Sequence, residues 1–242
     1  MNLMRTPLLA IAPTLAAALI VASPLAALPV PGVPVPPLLE LPELCTFASS
    51  GQNPYMVLLP GWTLELAGDD EEGAHITVDV IVLDETRVVD GVETRVVFEE
   101  EKEDRELVEQ SWNWLAICQE SGSVFYFGEA VDIYENGVVV AHDGAWEAGV
   151  DNARPGILMP GQPAVGHVHF QEIAPLVAMD MAVVLGTDDE VTVPAGTFPG
   201  SVHTLETTIL EPGSLSEKWY APGVGLLIDD PVELVRYGFL QH

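Results

Sequence analysis

The chain has 242 residues, of which 37 are Asp or Glu and 8 are Lys or Arg, so its formal net charge is −29. A field of that sign repels phosphate backbones and anionic membrane surfaces, which excludes nucleic-acid binding and favours cations and basic partners. With 48% apolar residues the chain can still bury a substantial core, and the surplus carboxylates also serve simply to keep it soluble.

The N-terminus has the order of a secretory signal: Arg5 near the tip, an apolar run over 8–28, and small residues at Ala22, Ser23, Ala26 and Ala27. We read 1–27 as a signal peptide. A retained helix is the rival, because about 20 apolar residues can span a bilayer, but Pro13 and Pro24 interrupt it. The protein is therefore expected to be exported, periplasmic or extracellular, with no stable membrane span once the signal is removed. Residues 28–43 carry proline at nearly every other position. They form an extended segment, either a spacer or docking arm or a disordered lead-in. The remaining residues, 44–242, fit one domain.

Along that domain a period of two dominates. Ile76, Val78, Val80 and Val82 alternate with polar residues and predict a half-buried strand over 75–83. Asp90-Gly91 between β-rich runs predicts a tight hairpin. The next strand carries Val96 and Phe98 on one face, and the charged stretch 99–106 reads as a turn at its solvent end. Trp112 and Trp114 fall on one face of a strand over 107–118, Val124–Gly128 is a dense aromatic strand, and Asn136-Gly137 closes another turn.

The rhythm breaks over 142–165, where Gly and Pro recur among Trp146, Ile157, Leu158 and Met159. This is expected to be one long ordered loop, of the kind that carries function in compact domains. Strands resume at 168–173, 178–185, 190–193, 201–211, 217–221, 225–228 and 232–239, with a short helix allowed over 174–182. Ten to twelve strands with short turns must manage their edges. The expected fold is all-β: a strongly curved antiparallel sheet or half-barrel built as a β-meander.

Several motifs stand in a specific order: Asn53-Pro-Tyr55 with Leu59-Pro-Gly-Trp62, Tyr126-Phe-Gly-Glu129, Gly144-Ala-Trp-Glu-Ala-Gly149, Pro155-Gly-Ile-Leu-Met-Pro160 and Tyr220-Ala-Pro-Gly-Val-Gly225. Together they resemble an uncharacterised set of exported bacterial proteins across most of 53–228. The C-terminal half also resembles, at the level of fold, the curved-sheet lipoprotein carriers, which hold acyl chains in an apolar concavity. That likeness implies a binding scaffold and carries over no catalytic residue. The chain departs from the carriers in its acidic surface and Pro-rich arm, and from the nearer set at His167 and His169.

Chemistry-bearing patterns are sparse. There is no Gly-x-Ser-x-Gly elbow, P-loop, dinucleotide fingerprint or His-Glu-x-x-His, so catalysis has little support. Cys45 and Cys118 are the only cysteines and, in an exported chain, read as one disulfide rather than a metal site. His167 and His169, with His142 or His203 from a neighbouring strand, could hold Zn²⁺ or Cu²⁺, or could be solvated side chains. The acidic stretches 68–73, 187–190 and 228–231 offer oxygens to Ca²⁺ or to solvent. Trp112, Trp114, Phe125, Phe127, Trp146, Leu158 and Met159 either fill a core or line a pocket beneath the 142–165 loop.

Three functions follow. The first is a non-enzymatic exported protein holding an apolar small molecule or lipid. The second is a divalent-metal module, the one cofactor the residues suggest. The third is an adhesion or structural surface protein.

Overall fold

A computed structural model describes residues 42–239 of the chain. The expected leader and proline arm, 1–27 and 28–43, lie outside the described residues apart from Pro42 and Glu43, which begin a 3-10 turn, Pro42–Leu44.

Thirteen strands form one continuous antiparallel path. In chain order they are β1 (Trp62–Asp69), β2 (His75–Val89), β3 (Val92–Glu103), β4 (Glu106–Cys118), β5 (Val124–Glu135) and β6 (Arg154–Met159). Then come β7 (Val168–Phe170), β8 (Glu172–Ile173), β9 (Asp180–Val193), β10 (Gly196–Thr208), β11 (Ser216–Ala221), β12 (Gly225–Asp229) and β13 (Val232–Phe239). Their order in space is β7-β9-β10-β11-β12-β13-β1-β2-β3-β4-β5-β6-β8.

The ends of that path are β7 and β8, which are separated in the chain only by Gln171. His169 of β7 pairs with Ala182 of β9, and the Gln171 amide donates to the Asp180 carbonyl at 2.8 Å. Glu172 of β8 then pairs with Pro155 of β6 on the other side. One short stretch therefore joins both edges, and the sheet curls almost into a barrel. Such curling removes the unpaired edges that a long open sheet would present.

The turns follow local chemistry. Asp90-Gly91 and Asn136-Gly137 take positive φ at both positions, 47° and 79° for the first and 52° and 74° for the second, which suits the twist of the strands they join. The charged stretch 99–106 is a correction. Glu99–Glu103 remain in β3, and the reversal is confined to Asp104-Arg105. Pairing on both flanks overrides local charge there: Glu100 faces Gln110 across β4 and accepts its side-chain amide at 2.7 Å.

The 142–165 stretch is also corrected, because only part of it is loop. Trp146–Glu147 and β6 both pair with β5, so this segment forms wall rather than lid. Gly156 makes that possible: a Cβ there would lie 2.2 Å from the Gln171 carbonyl oxygen. No helix forms over 174–182. A turn closed by the Ala174–Ala178 bridge leads straight into β9. The runs 178–185 and 190–193 merge into that one strand, whose register shifts absorb the irregular residues between them.

Cys45 and Cys118 are joined, with Cα atoms 5.1 Å apart. The bond fastens the short strand Phe47–Ala48 to the end of β4, where Phe47 packs edge-on against Phe125 and Phe127. Among the described residues no helix is long and apolar enough to cross a membrane.

Candidate functional site

The period of two that builds the wall also decides what enters the curl. Val80 and Val82 from β2, Val97 from β3 and Leu115 from β4 line a cavity of about 80 Å³. Met56, Val57 and Leu58, from the hairpin Gly51–Asn53 with Met56–Leu58, form another part of its wall. Trp62, Leu64, Val224 and Leu226 complete the apolar side, with the Trp62 indole N–H donating to the Val224 carbonyl at 3.1 Å.

One side of the cavity is polar: Glu99, Asn113, Tyr126, Lys218 and Tyr220. Lys218 is 2% exposed. Its Nζ lies 3.2 Å from Glu206 Oε2 and 3.0 Å from Asp229 Oδ2. Burial opposes its charge, but Asp229 and Glu206 outweigh that effect and hold the ammonium well above its ordinary pKa. Glu206 also accepts from the Gln171 amide at 2.9 Å and from the Tyr220 hydroxyl at 3.3 Å. The Tyr126 hydroxyl donates to Asn113 Oδ1. Asn113 Nδ2 in turn donates to the Val97 carbonyl at 3.3 Å and to Ser111 Oγ at 3.0 Å.

Around this network lies a buried group of carboxyls. Burial pushes Glu99 well above the ordinary carboxylate range; Lys218 opposes the shift, while Asp229, Glu101 and Glu129 reinforce it. Burial raises Glu129 to about 8, against the effect of the Tyr126 hydroxyl. Glu109 reaches about 10 through burial and the nearby Glu101 and Glu99. Asp229 rises to about 6 because burial exceeds the help of Lys218. Glu172 is raised by burial and then by Glu129 and Asp180. The inside of the curl is thus acidic, largely desolvated and organised about one lysine.

Of the aromatic and apolar residues expected to line a pocket, Leu158 does line this cavity. Trp114, Phe125, Phe127 and Met159 lie in the adjoining apolar core, with the Arg87 guanidinium 3.9 Å above the Trp114 ring. Trp112 packs on Phe98 at 5.3 Å. Trp146 packs on Tyr126 at 5.4 Å and borders a second hollow with Ala153, Ala174 and Val177.

The four candidate histidines lie in different settings. His142 Nδ1 is 2.9 Å from Asp132, while His203 stacks on Trp219 at 4.1 Å and reaches Glu217 at 3.1 Å. His167 precedes β7 in a turn, its amide donating to the Ala164 carbonyl. His169 is buried inside the curl, and burial lowers its pKa to about 4. Among the described residues, the only trio of His, Cys, Asp or Glu close enough to share an ion is Cys45, Cys118 and Glu120, whose two sulfurs are bonded to each other.

The acidic turns have local roles. Asp70 Oδ1 accepts from the amides of Glu72 and Ala74, and Asp229 belongs to the Lys218 network.

Reading the sequence alone missed Glu99, Glu206 and Lys218, and reached Asp229 only as an oxygen donor within the acidic stretch 228–231. One signal was present: Lys218 and Tyr220 share a face of an alternating strand, in a chain with only two lysines. Comparison of the chain with protein families, curated proteins and solved structures finds no match in any of the three.

Proposed function

We propose that this is an exported binding protein that holds an apolar or lipid-like group inside the curl of its sheet. The observation that carries the reading is the cavity itself: apolar walls from β2, β3 and β4 and the 51–58 hairpin, with a polar network on one side. Ligand sites commonly combine mostly apolar walls with a few placed polar groups. At about 80 Å³ the space suits a short alkyl group or the end of a longer chain, so the cavity holds one end of a ligand rather than enclosing a whole lipid. The disulfide and the leader-like N-terminus support export.

Native mass spectrometry of the protein purified from its own host tests this. A co-purifying apolar mass, lost in a Leu226→Trp variant that fills the cavity wall, is the expected result. A bare chain that also fails to take up short alkyl compounds in vitro rejects the reading. A mass increment of one divalent ion would favour the metal module instead.

A further inference from the structure

We propose that the ligand enters with a primary ammonium head on a short alkyl body, and that the Glu99 carboxyl receives that head. The inference rests on the cavity described above and names the class of ligand it takes.

The hydrogen-bond inventory of the polar side carries the argument. Lys218, Tyr220, Tyr126 and Asn113 all have partners already. Lys218 holds Glu206 and Asp229 at 3.2 and 3.0 Å. The Tyr220 hydroxyl donates to Glu206, and the Tyr126 hydroxyl donates to Asn113 Oδ1. Asn113 Nδ2 donates to Val97 and Ser111. What remains on offer is acceptors. Glu99 is 6% exposed and lines the cavity, and its Oε2 has no hydrogen-bond partner among the described residues. The phenol oxygens of Tyr126 and Tyr220 each retain acceptor capacity.

A buried carboxyl oxygen with no donor opposite it selects a ligand that donates, and an ammonium brings three donors and no acceptor. Charge points the same way. Lys218 is the one cation lining the cavity, and two carboxylates already oppose it. A carboxylate ligand would bring only acceptors to Glu99. An alcohol would bring one donor where an ammonium brings three.

The charged groups around Glu99 are Lys218, Asp229, Glu101 and Glu129. Seating R–NH₃⁺ against Glu99 forms a hydrogen-bonded pair between the ammonium and the carboxyl. No covalent bond in the ligand changes.

The test is titration calorimetry of the full chain near neutral pH with n-hexylamine, n-hexanol and hexanoate. Hexylamine is expected to bind about tenfold more tightly than hexanol, as one charge-assisted hydrogen bond allows. Hexanoate is expected to bind least. In Glu99→Gln the amine preference should vanish, with hexanol affinity unchanged. Equal or tighter binding of hexanol or hexanoate overturns the ammonium assignment and leaves the cavity reading intact. Binding by none of the three rejects the cavity reading as well. Retention of the amine preference in a folded Glu99→Gln protein overturns the role of Glu99.

Discussion

Lys218 sits where a strand of ordinary alternating pattern turns its charged residue inward. A buried ammonium is tolerable only when opposite charges and hydrogen bonds replace its water, and Glu206 and Asp229 do this from the flanking strands β10 and β12. Lys218→Met is expected to destabilise the protein by about 3–5 kcal/mol, because two buried carboxyls lose their counter-charge. A urea unfolding midpoint measures this, and adding Glu206→Gln should recover part of the loss. The surrounding carboxyls set the pH dependence. Glu129 and Glu109, raised from 4.5 to about 8 and about 10, keep protons in the folded chain that the unfolded chain has already released. Their contribution to stability is complete below the ordinary carboxylate range and is lost as pH rises through the folded values, by up to about 1.4 kcal/mol per pH unit for each group. His169, lowered from 6.5 to about 4, acts in the opposite sense and favours the folded state as pH rises across that interval. The carboxyls outnumber it, so the melting temperature is expected to fall from mildly acidic to mildly alkaline pH. Glu129→Gln should make that decline shallower; an unchanged slope would remove Glu129 from the account.

The strands differ in how far local signals define them. Asp90-Gly91 and Asn136-Gly137 are legible because positive φ at two successive residues restricts the choice of residue. Asp104-Arg105 adopts a similar geometry, with φ of 48° and 75°, but is legible only as part of the wider charged stretch 99–106, since arginine is not a turn-forming residue. The glycines of 142–165 mislead in the other direction. Gly156 is not a loop residue but the point where β6 admits the backbone of Gln171, and so lets β8 close the sheet. Gly156→Ala is expected to cost about 1–3 kcal/mol through overpacking. The damage should be local. Hydrogen exchange should speed up at the amides of β6 and β8 while the β2–β3 hairpin stays protected; uniform acceleration would mean that the seam is not a separate element.

Across the whole molecule, closure and covalent linkage act on different parts of the chain. The curl is held by backbone pairing, whereas the Cys45–Cys118 bond joins residues 73 apart and fastens the segment that leads into the 51–58 hairpin of the cavity wall. Restricting a loop of that length in the unfolded chain contributes about 4 kcal/mol. Replacing both cysteines by serine should lower stability by about 2–5 kcal/mol in denaturant titration. It should also weaken binding of alkyl probes more than Gly156→Ala does, since the tethered hairpin borders the cavity and Gly156 does not line it.

The all-β class, the two-residue period, the Asp-Gly and Asn-Gly turns and the disulfide were determined by the sequence alone. Each depends on one residue or on neighbours along the chain: side-chain alternation, tolerance of positive φ, or a single possible cysteine pair. Only the tertiary structure decided that β7 and β8 close the sheet, that Trp114, Phe125 and Phe127 pack in the core beside the cavity, and that Glu99 and Lys218 line it while Glu206 and Asp229 hold Lys218. Those four come from strands β3, β10, β11 and β12. In a chain with 37 acidic residues, which carboxyls face inward is settled by strand register and by the path of the sheet, and neither is encoded at the residue itself.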